Sequence, residues 1–290
     1  MIYLVLSIIC SLTVGVLLKL AKRYHIDLLQ SITWNYLSAI ILSLIFFKPS
    51  VTDLSLNNVK PLYIFLGFFL PSLFIIMGLA VQKSGLVRSD IAQRLSLFIS
   101  FGAAFIIFNE SLTSLKVLGM TLGIMAILFT LYKPQGPKID NKNWIYPLLV
   151  FIGYGIVDIS FKWISSSGLE TGIPYTTALL IIFLLAFLTS FIYMIIRIQQ
   201  KKASFQLIHL LCGLILGVFN FGNILFYMKA HRSMANDPSI VFAGMNMGVI
   251  IGACLIGIFL FNEKLSKWNY IGLVLALASI ICMTIIQYGL

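Results

Sequence analysis

Ten stretches of this chain are long and apolar enough to cross a bilayer: residues 2–20, 28–47, 61–82, 87–108, 114–132, 145–163, 174–196, 206–229, 239–261 and 268–287. A span takes about 20 apolar residues as a helix, the one single-segment form that satisfies its own backbone groups in hydrocarbon. In a chain of 290 residues they leave only short connectors, with no length for a soluble domain. Composition agrees, since 10% charged residues and a mean hydropathy of +1.03 lie far from the roughly 25% charge of a soluble domain. A water-soluble globular protein is excluded. The net charge of +11 is therefore read as loop topology rather than as a nucleic-acid surface.

The first apolar run follows Met1 without a basic leader or an A-x-A-like cleavage site, so it is expected to be retained as a helix. The most polar connector, Lys133 to Asn143, falls mid-chain. It divides the chain into residues 1–133, a linker at 134–143 and residues 144–290. Phe108-Asn109-Glu110, Leu112 and Gly119 recur as Phe261-Asn262-Glu263, Leu265 and Gly272 at a displacement of 153. Ile2-Tyr3 and Lys19 recur as Ile145-Tyr146 and Lys162 at a displacement of 143. Each half then holds five spans, an odd number, so the second enters the membrane from the opposite side. The expected fold is an all-α integral membrane protein of ten helices in two inverted five-helix repeats, an architecture of secondary transporters with a midplane site.

On these residues the chain resembles the drug/metabolite transporter superfamily, in its ten-helix branch of two EamA-like repeats. The resemblance rests on Asn109-Glu110 and Asn262-Glu263 before the last helix of each half, on Gly119 and Gly272, and on Lys19 and Lys162. It implies a carrier of small organic solutes, often an exporter of amino acids, metabolites or drugs. The first four helices of each half would surround a central cavity, and the fifth and tenth would brace the bundle. Trp34-Asn35-Tyr36 departs from the pattern, standing where many relatives carry an arginine.

A charge at a helix centre costs roughly 2.5–3.5 kcal/mol on insertion scales, so each embedded charge is a functional candidate. Asp158 lies about 13 residues into the sixth span, with Lys162 four residues on and on the same helical face. Either the two form an ion pair that lets the helix insert, or Asp158 binds a proton or a substrate cation while Lys162 tunes it. Lys19 holds the matching position of the first half, with Gly15 where the aspartate would be. The fourth span carries Asp90, Gln93 and Arg94. Arg94 is either a snorkelling end charge or a guanidinium that grips a carboxylate in two parallel hydrogen bonds. Asn246 stands at the displacement of 153 from Gln93, and Asn220, Asn223 and Tyr227 share the eighth span. With Trp34, Asn35 and Tyr154 these neutral groups either orient and wall a solute or bond a neighbouring helix, at about 0.6 kcal/mol on average.

Asn109-Glu110 and Asn262-Glu263 are expected to cap the fifth and tenth helices. Gly119/Gly123, Gly213/Gly217 and Gly248/Gly252 permit close helix approach, within one chain or in a homodimer. Cys10, Cys212, Cys254 and Cys282 read as small buried hydrophobes. No phosphate loop of the G-x-x-x-x-G-K-[ST] type, no H-E-x-x-H and no G-x-S-x-G occurs. Direct coupling to nucleotide hydrolysis, metalloprotease chemistry and serine hydrolysis are not expected, and neither is a cofactor or metal.

Lys and Arg number 14 in the odd-numbered connections and 6 in the even-numbered ones. By the positive-inside bias the odd connections are cytoplasmic and both termini lie outside. The sequence thus leads to a secondary carrier in the inner membrane, with a small-molecule substrate, the lipid bilayer as surroundings and no nucleic-acid partner. Asp158 would be the coupling or ammonium-binding group, Arg94 and Lys162 would meet a carboxylate, and two five-helix halves would rock. The alternatives are an organic-cation exporter, a flippase for a lipid-linked intermediate with a side opening, and a channel with a continuous polar pore.

Overall fold

The structure is a computed structural model that describes residues 1–24, 26–48, 59–84, 86–131, 144–171, 174–201, 203–261 and 266–288. These form eleven helices: α1 (Ile2–Arg23), α2 (Leu28–Phe47), α3 (Pro61–Ser84), α4 (Leu86–Leu95), α5 (Leu97–Ile106), α6 (Ser114–Leu131), α7 (Ile145–Thr171), α8 (Tyr175–Gln199), α9 (Leu207–Ser233), α10 (Pro238–Phe261) and α11 (Lys267–Tyr288). No strand occurs among the described residues. Among the described residues seven helices are long and apolar enough to cross a membrane, and shorter apolar stretches occupy Ile2–Leu18, Ala92–Ile106 and Ser114–Thr130.

The ends are set by local chemistry. Asp27 Oδ1 accepts from Leu29 N at 2.9 Å and Gln30 N at 3.3 Å to start α2, and Lys48, at φ 43°, ends it. Pro61 and Pro238 take the first positions of α3 and α10, where the missing N–H is no loss. Thr113 Oγ1 accepts from Lys116 N at 3.3 Å to cap α6, and Ser266 Oγ accepts from Asn269 N at 3.3 Å to cap α11. The expected cap of the fifth span at Asn109-Glu110 is therefore corrected to Thr113, while Asn262 and Glu263 lie outside the described residues.

The fourth apolar segment divides into α4 and α5 at Ser96 alone. Ser96 keeps helical dihedrals, φ −53° and ψ −21°, but its hydroxyl donates to the Gln93 carbonyl at 2.5 Å. A side chain that competes for a backbone acceptor perturbs a helix in this way.

Large apolar side chains face outward on most helices, among them Phe46, Phe259, Val274 and Ile281. Buried positions include Ser7, Thr33, Asn35, Ser100 and Ser190. In water such an exterior would be an aggregation surface, whereas in lipid it is the solvent-facing layer. Helices approach closely where glycines line up. Gly244, Gly248 and Gly252 of α10 receive Leu4, Ile8 and Leu12 of α1 in the same order, so the two helices run parallel. Gly213 and Gly217 of α9 lie against the backbone of Ser31 and Asn35 of α2. The GxxxG pairs on α9 and α10 are thus occupied by packing within one chain.

α1 packs on α9 and α10, and α2 on α8 and α9. α3 packs on α7 and α8, α4 and α5 on α7, and α6 pairs with α11. Helices from before and after residues 134–143 are interleaved, so the two stretches do not form separate bodies. At one end, Asn109 adopts φ 51° and Glu110 N reaches back to Ala104 O at 3.0 Å. That left-handed turn, which asparagine tolerates, sends Glu110 to the start of α10. Its Oε2 accepts from Ser239 N at 2.9 Å and its Oε1 from Ser239 Oγ at 2.5 Å. Lys116 Nζ joins Glu110 at 2.9 Å and Asp237 at 2.7 Å. The carboxylate sits on the positive end of α10's dipole.

Candidate functional site

A cavity of about 230 Å³ lies at mid-bundle, among α1, α2, α3, α4, α7, α9 and α10. Of the residues singled out from sequence, Gln93, Arg94, Tyr154, Asp158, Asn220, Asn223, Tyr227 and Asn246 line it. They come from α4, α7, α9 and α10, far apart in sequence and gathered around one cavity.

Asp158 accepts hydrogen bonds from two hydroxyls on two other helices. Ser100 Oγ of α5 donates to Oδ2 at 3.0 Å, and the Tyr227 hydroxyl of α9 donates to Oδ1 at 3.2 Å. The ion pair with Lys162, one of the two readings of this spacing, does not form. Lys162 is 2% exposed and its Nζ donates to the Ala235 carbonyl at 2.9 Å, 5.6 Å from the centre of the Phe108 ring. Shared helical face fixes the direction of the stem, but the four-carbon chain carries the ammonium a turn onward, to a carbonyl beyond the end of α9. Lys162 therefore lies outside the cavity rather than facing a substrate carboxylate.

The amides are partly committed. Asn223 Oδ1 accepts from Ser7 Oγ at 2.8 Å, and Asn246 Nδ2 donates to Phe242 O at 3.0 Å. That leaves the Asn223 amino group and the Asn246 carbonyl for a solute. On α2, Trp34 and Asn35 do not reach the cavity, and Tyr36 does. Trp34 packs into Phe187, Phe191 and Phe205 at 6.3–6.5 Å between ring centres, and Asn35 is buried where α2 crosses α9. The hydroxyl of Tyr36 is buried with no hydrogen-bond partner among the described residues. Successive helix residues differ by about 100°, so naming the Trp-Asn-Tyr string could not say which member faced inward. Ser100, which bonds Asp158, and Ser7, which bonds Asn223, give no signal in sequence, because each is a lone serine in an apolar run.

Below the cavity, toward the end of α9, the His231 ring packs edge-on against Tyr227 and Phe242, each at 4.7 Å between centres. Both its nitrogens are buried without partners among the described residues. With Lys162 and the Glu110–Lys116–Asp237 cluster, these rings fill that end of the bundle. The side chains of Lys19 and Asp90 lie outside the described residues. No three His, Cys, Asp or Glu side chains come together as a metal site among the described residues. None of the four cysteines is in a disulfide among the described residues.

An all-helical bundle with an apolar exterior, seven helices among the described residues fit to span, and a central cavity lined in part by polar side chains is a membrane protein. Its sequence is 42% identical over 289 residues to an uncharacterized protein of Haemophilus influenzae, a match covering 97% of this chain and 96% of that one. The chain belongs to the family of that protein. No family model matches it. A solved structure, described only as the crystal structure of a protein, has a TM-score of 0.71 over 99% of this chain and 97% of its own, at 13% identity. That likeness is one of fold.

Proposed function

We propose that this protein is a secondary active transporter that exports a small zwitterionic or anionic metabolite, such as an amino acid, across the inner membrane. In this reading it is a ten-span member of the drug/metabolite transporter superfamily, with α4 and α5 as one interrupted fourth span. The observation that carries the proposal is the carboxylate of Asp158 in a central cavity, bound by hydroxyls and not by a lysine, with Arg94 in the same wall. An ammonium on Asp158 and a carboxylate on Arg94 would use both charges of one amino acid.

Packing supports two inverted repeats. Exchanging each helix with its counterpart turns α1·α9 into α7·α3, α2·α9 into α8·α3, and α1·α10 into α7·α4, all of them observed. α2·α8, α5·α10 and α6·α11 map onto themselves. At residue level Gly119 lies against Met283 and Gly272 against Thr130, and both pairs interchange under the displacement of 153.

Because the halves interleave, alternating access takes a modified form here. The bodies that move would be mixed, one built on α1, α9 and α10, the other on α3, α4, α5 and α7. Closure at the Glu110–Lys116 end, opposite the end that carries Arg23, Lys83, Arg197 and Lys267, fits an inward-facing state under the positive-inside bias.

The test is a screen of amino acids and related metabolites for ligands that raise the melting temperature of purified protein, since a ligand of the folded state stabilises it by mass action. Counterflow in proteoliposomes follows. The expected result is a hit whose stabilisation and counterflow both vanish in Asp158→Asn. Full transport by normally inserted Asp158→Asn and Arg94→Ala proteins would overturn the proposal.

A further inference from the structure

A second recess, of about 540 Å³, opens between α2, α3 and α8 at the end where α2 begins and α3 and α8 finish. Ile26, Leu29, Ile32, Ile75 and Leu79 make its walls apolar. Two charged residues line it, and they are not equivalent. Asp27 has its Oδ1 committed to the first N–H groups of α2. Arg197, in the last turn of α8, makes no ion pair or hydrogen bond among the described residues. Tyr193, one turn earlier and 41% exposed, lines the recess too.

We propose that this groove binds an anionic phospholipid, its phosphate on Arg197 and one acyl chain along Ile32, Ile75 and Phe74. The height is right for it: Arg197 sits at a helix end, where a headgroup lies, and the apolar walls run from there toward mid-bundle. The charge is right as well, because this is the basic end of the molecule, and a basic residue at a membrane surface attracts anionic lipid. A phosphate accepts the two parallel hydrogen bonds that a guanidinium offers. Among the described residues, Phe74 alone lines both this groove and the central cavity. An acyl chain in the groove therefore touches the ring that walls the substrate space.

The experiment compares melting temperatures, and lipid counts by native mass spectrometry, of detergent-purified protein with phosphatidylglycerol, phosphatidylcholine of the same chains, or glycerol phosphate. Phosphatidylglycerol is expected to bind and stabilise more than phosphatidylcholine. Arg197→Ala should weaken that binding about fivefold, the size of one basic contact at a membrane surface. Arg197→Lys should retain part of it, and Lys201→Ala, an exposed cation beyond α8, should leave it unchanged. Ile75→Trp, which fills the groove without touching the central cavity, should abolish the preference. Equal action of the two lipids, equal loss in Arg197→Ala and Lys201→Ala, or equal action of glycerol phosphate would each overturn the proposal. These readouts involve no transport, so they stand or fall separately from the carrier reading.

Discussion

Asp158 is held by hydroxyls from α5 and α9, and this leaves its charge for something that enters the cavity. Hydrogen bonds to a charged group are worth roughly 1.5–3 kcal/mol, so Asp158→Asn is expected to weaken binding of a cationic or zwitterionic ligand about 10- to 100-fold. Isothermal titration with a ligand from the screen measures this, and unchanged affinity would remove Asp158 from the site. Lys116 offers a contrasting case. It is 2% exposed and joins two carboxylates, one of them with a fully buried side chain. Removing one partner of a buried pair costs about 3–5 kcal/mol. Lys116→Met should therefore lower thermal stability sharply, while Glu110→Gln combined with Lys116→Met should recover part of the loss. Melting curves of the two variants decide it.

At the scale of the helices, glycine periodicity does what charge does elsewhere. The run of Gly244, Gly248 and Gly252 makes a groove on α10 in which Leu4, Ile8 and Leu12 sit, and the α9 pair lets α2 approach to backbone contact. Overpacking a closely packed interface costs about 1–3 kcal/mol, more where backbone must move. Gly217→Leu, against the backbone of Asn35, is expected to destabilise more than Gly102→Leu, where an added Cβ meets nothing within 4 Å. Thermal unfolding of both variants in one detergent is the measurement, and equal losses would mean that the α2–α9 crossing is not tight.

For the whole molecule the decisive fact is interleaving. α1 and α2 have their main partners on α8, α9 and α10, so residues 1–133 expressed alone should fail to yield a folded, protease-resistant unit, and co-expression with 134–290 should restore one. Limited proteolysis reads the result. The symmetric contacts give a second prediction. In a cysteine-free background, Gly119→Cys with Met283→Cys and Thr130→Cys with Gly272→Cys should both cross-link in high yield. Cross-linking of one pair without the other would count against a two-fold relation between the halves.

The apolar runs determined the helices, because in hydrocarbon a chain of this composition has no other way to satisfy its backbone. They also brought out eight of the cavity residues, since an embedded polar group is costly and so rarely incidental. Sequence did not determine partners. Asp158 and Lys162 share a helical face, yet one meets serine and tyrosine hydroxyls and the other a carbonyl beyond α9, because the reach of a side chain and the helices around it decide where a charge ends. Glu110 precedes a helix that its position in sequence suits it to cap, yet it caps α10 instead, through the left-handed turn at Asn109. Trp34 and Asn35 gave way to Tyr36 because the rotation of α2 about its axis is fixed by its glycine-lined crossing with α9. Such choices belong to the tertiary structure alone, for they depend on which surfaces of distant helices come within a few ångströms, and local spacing carries no record of that.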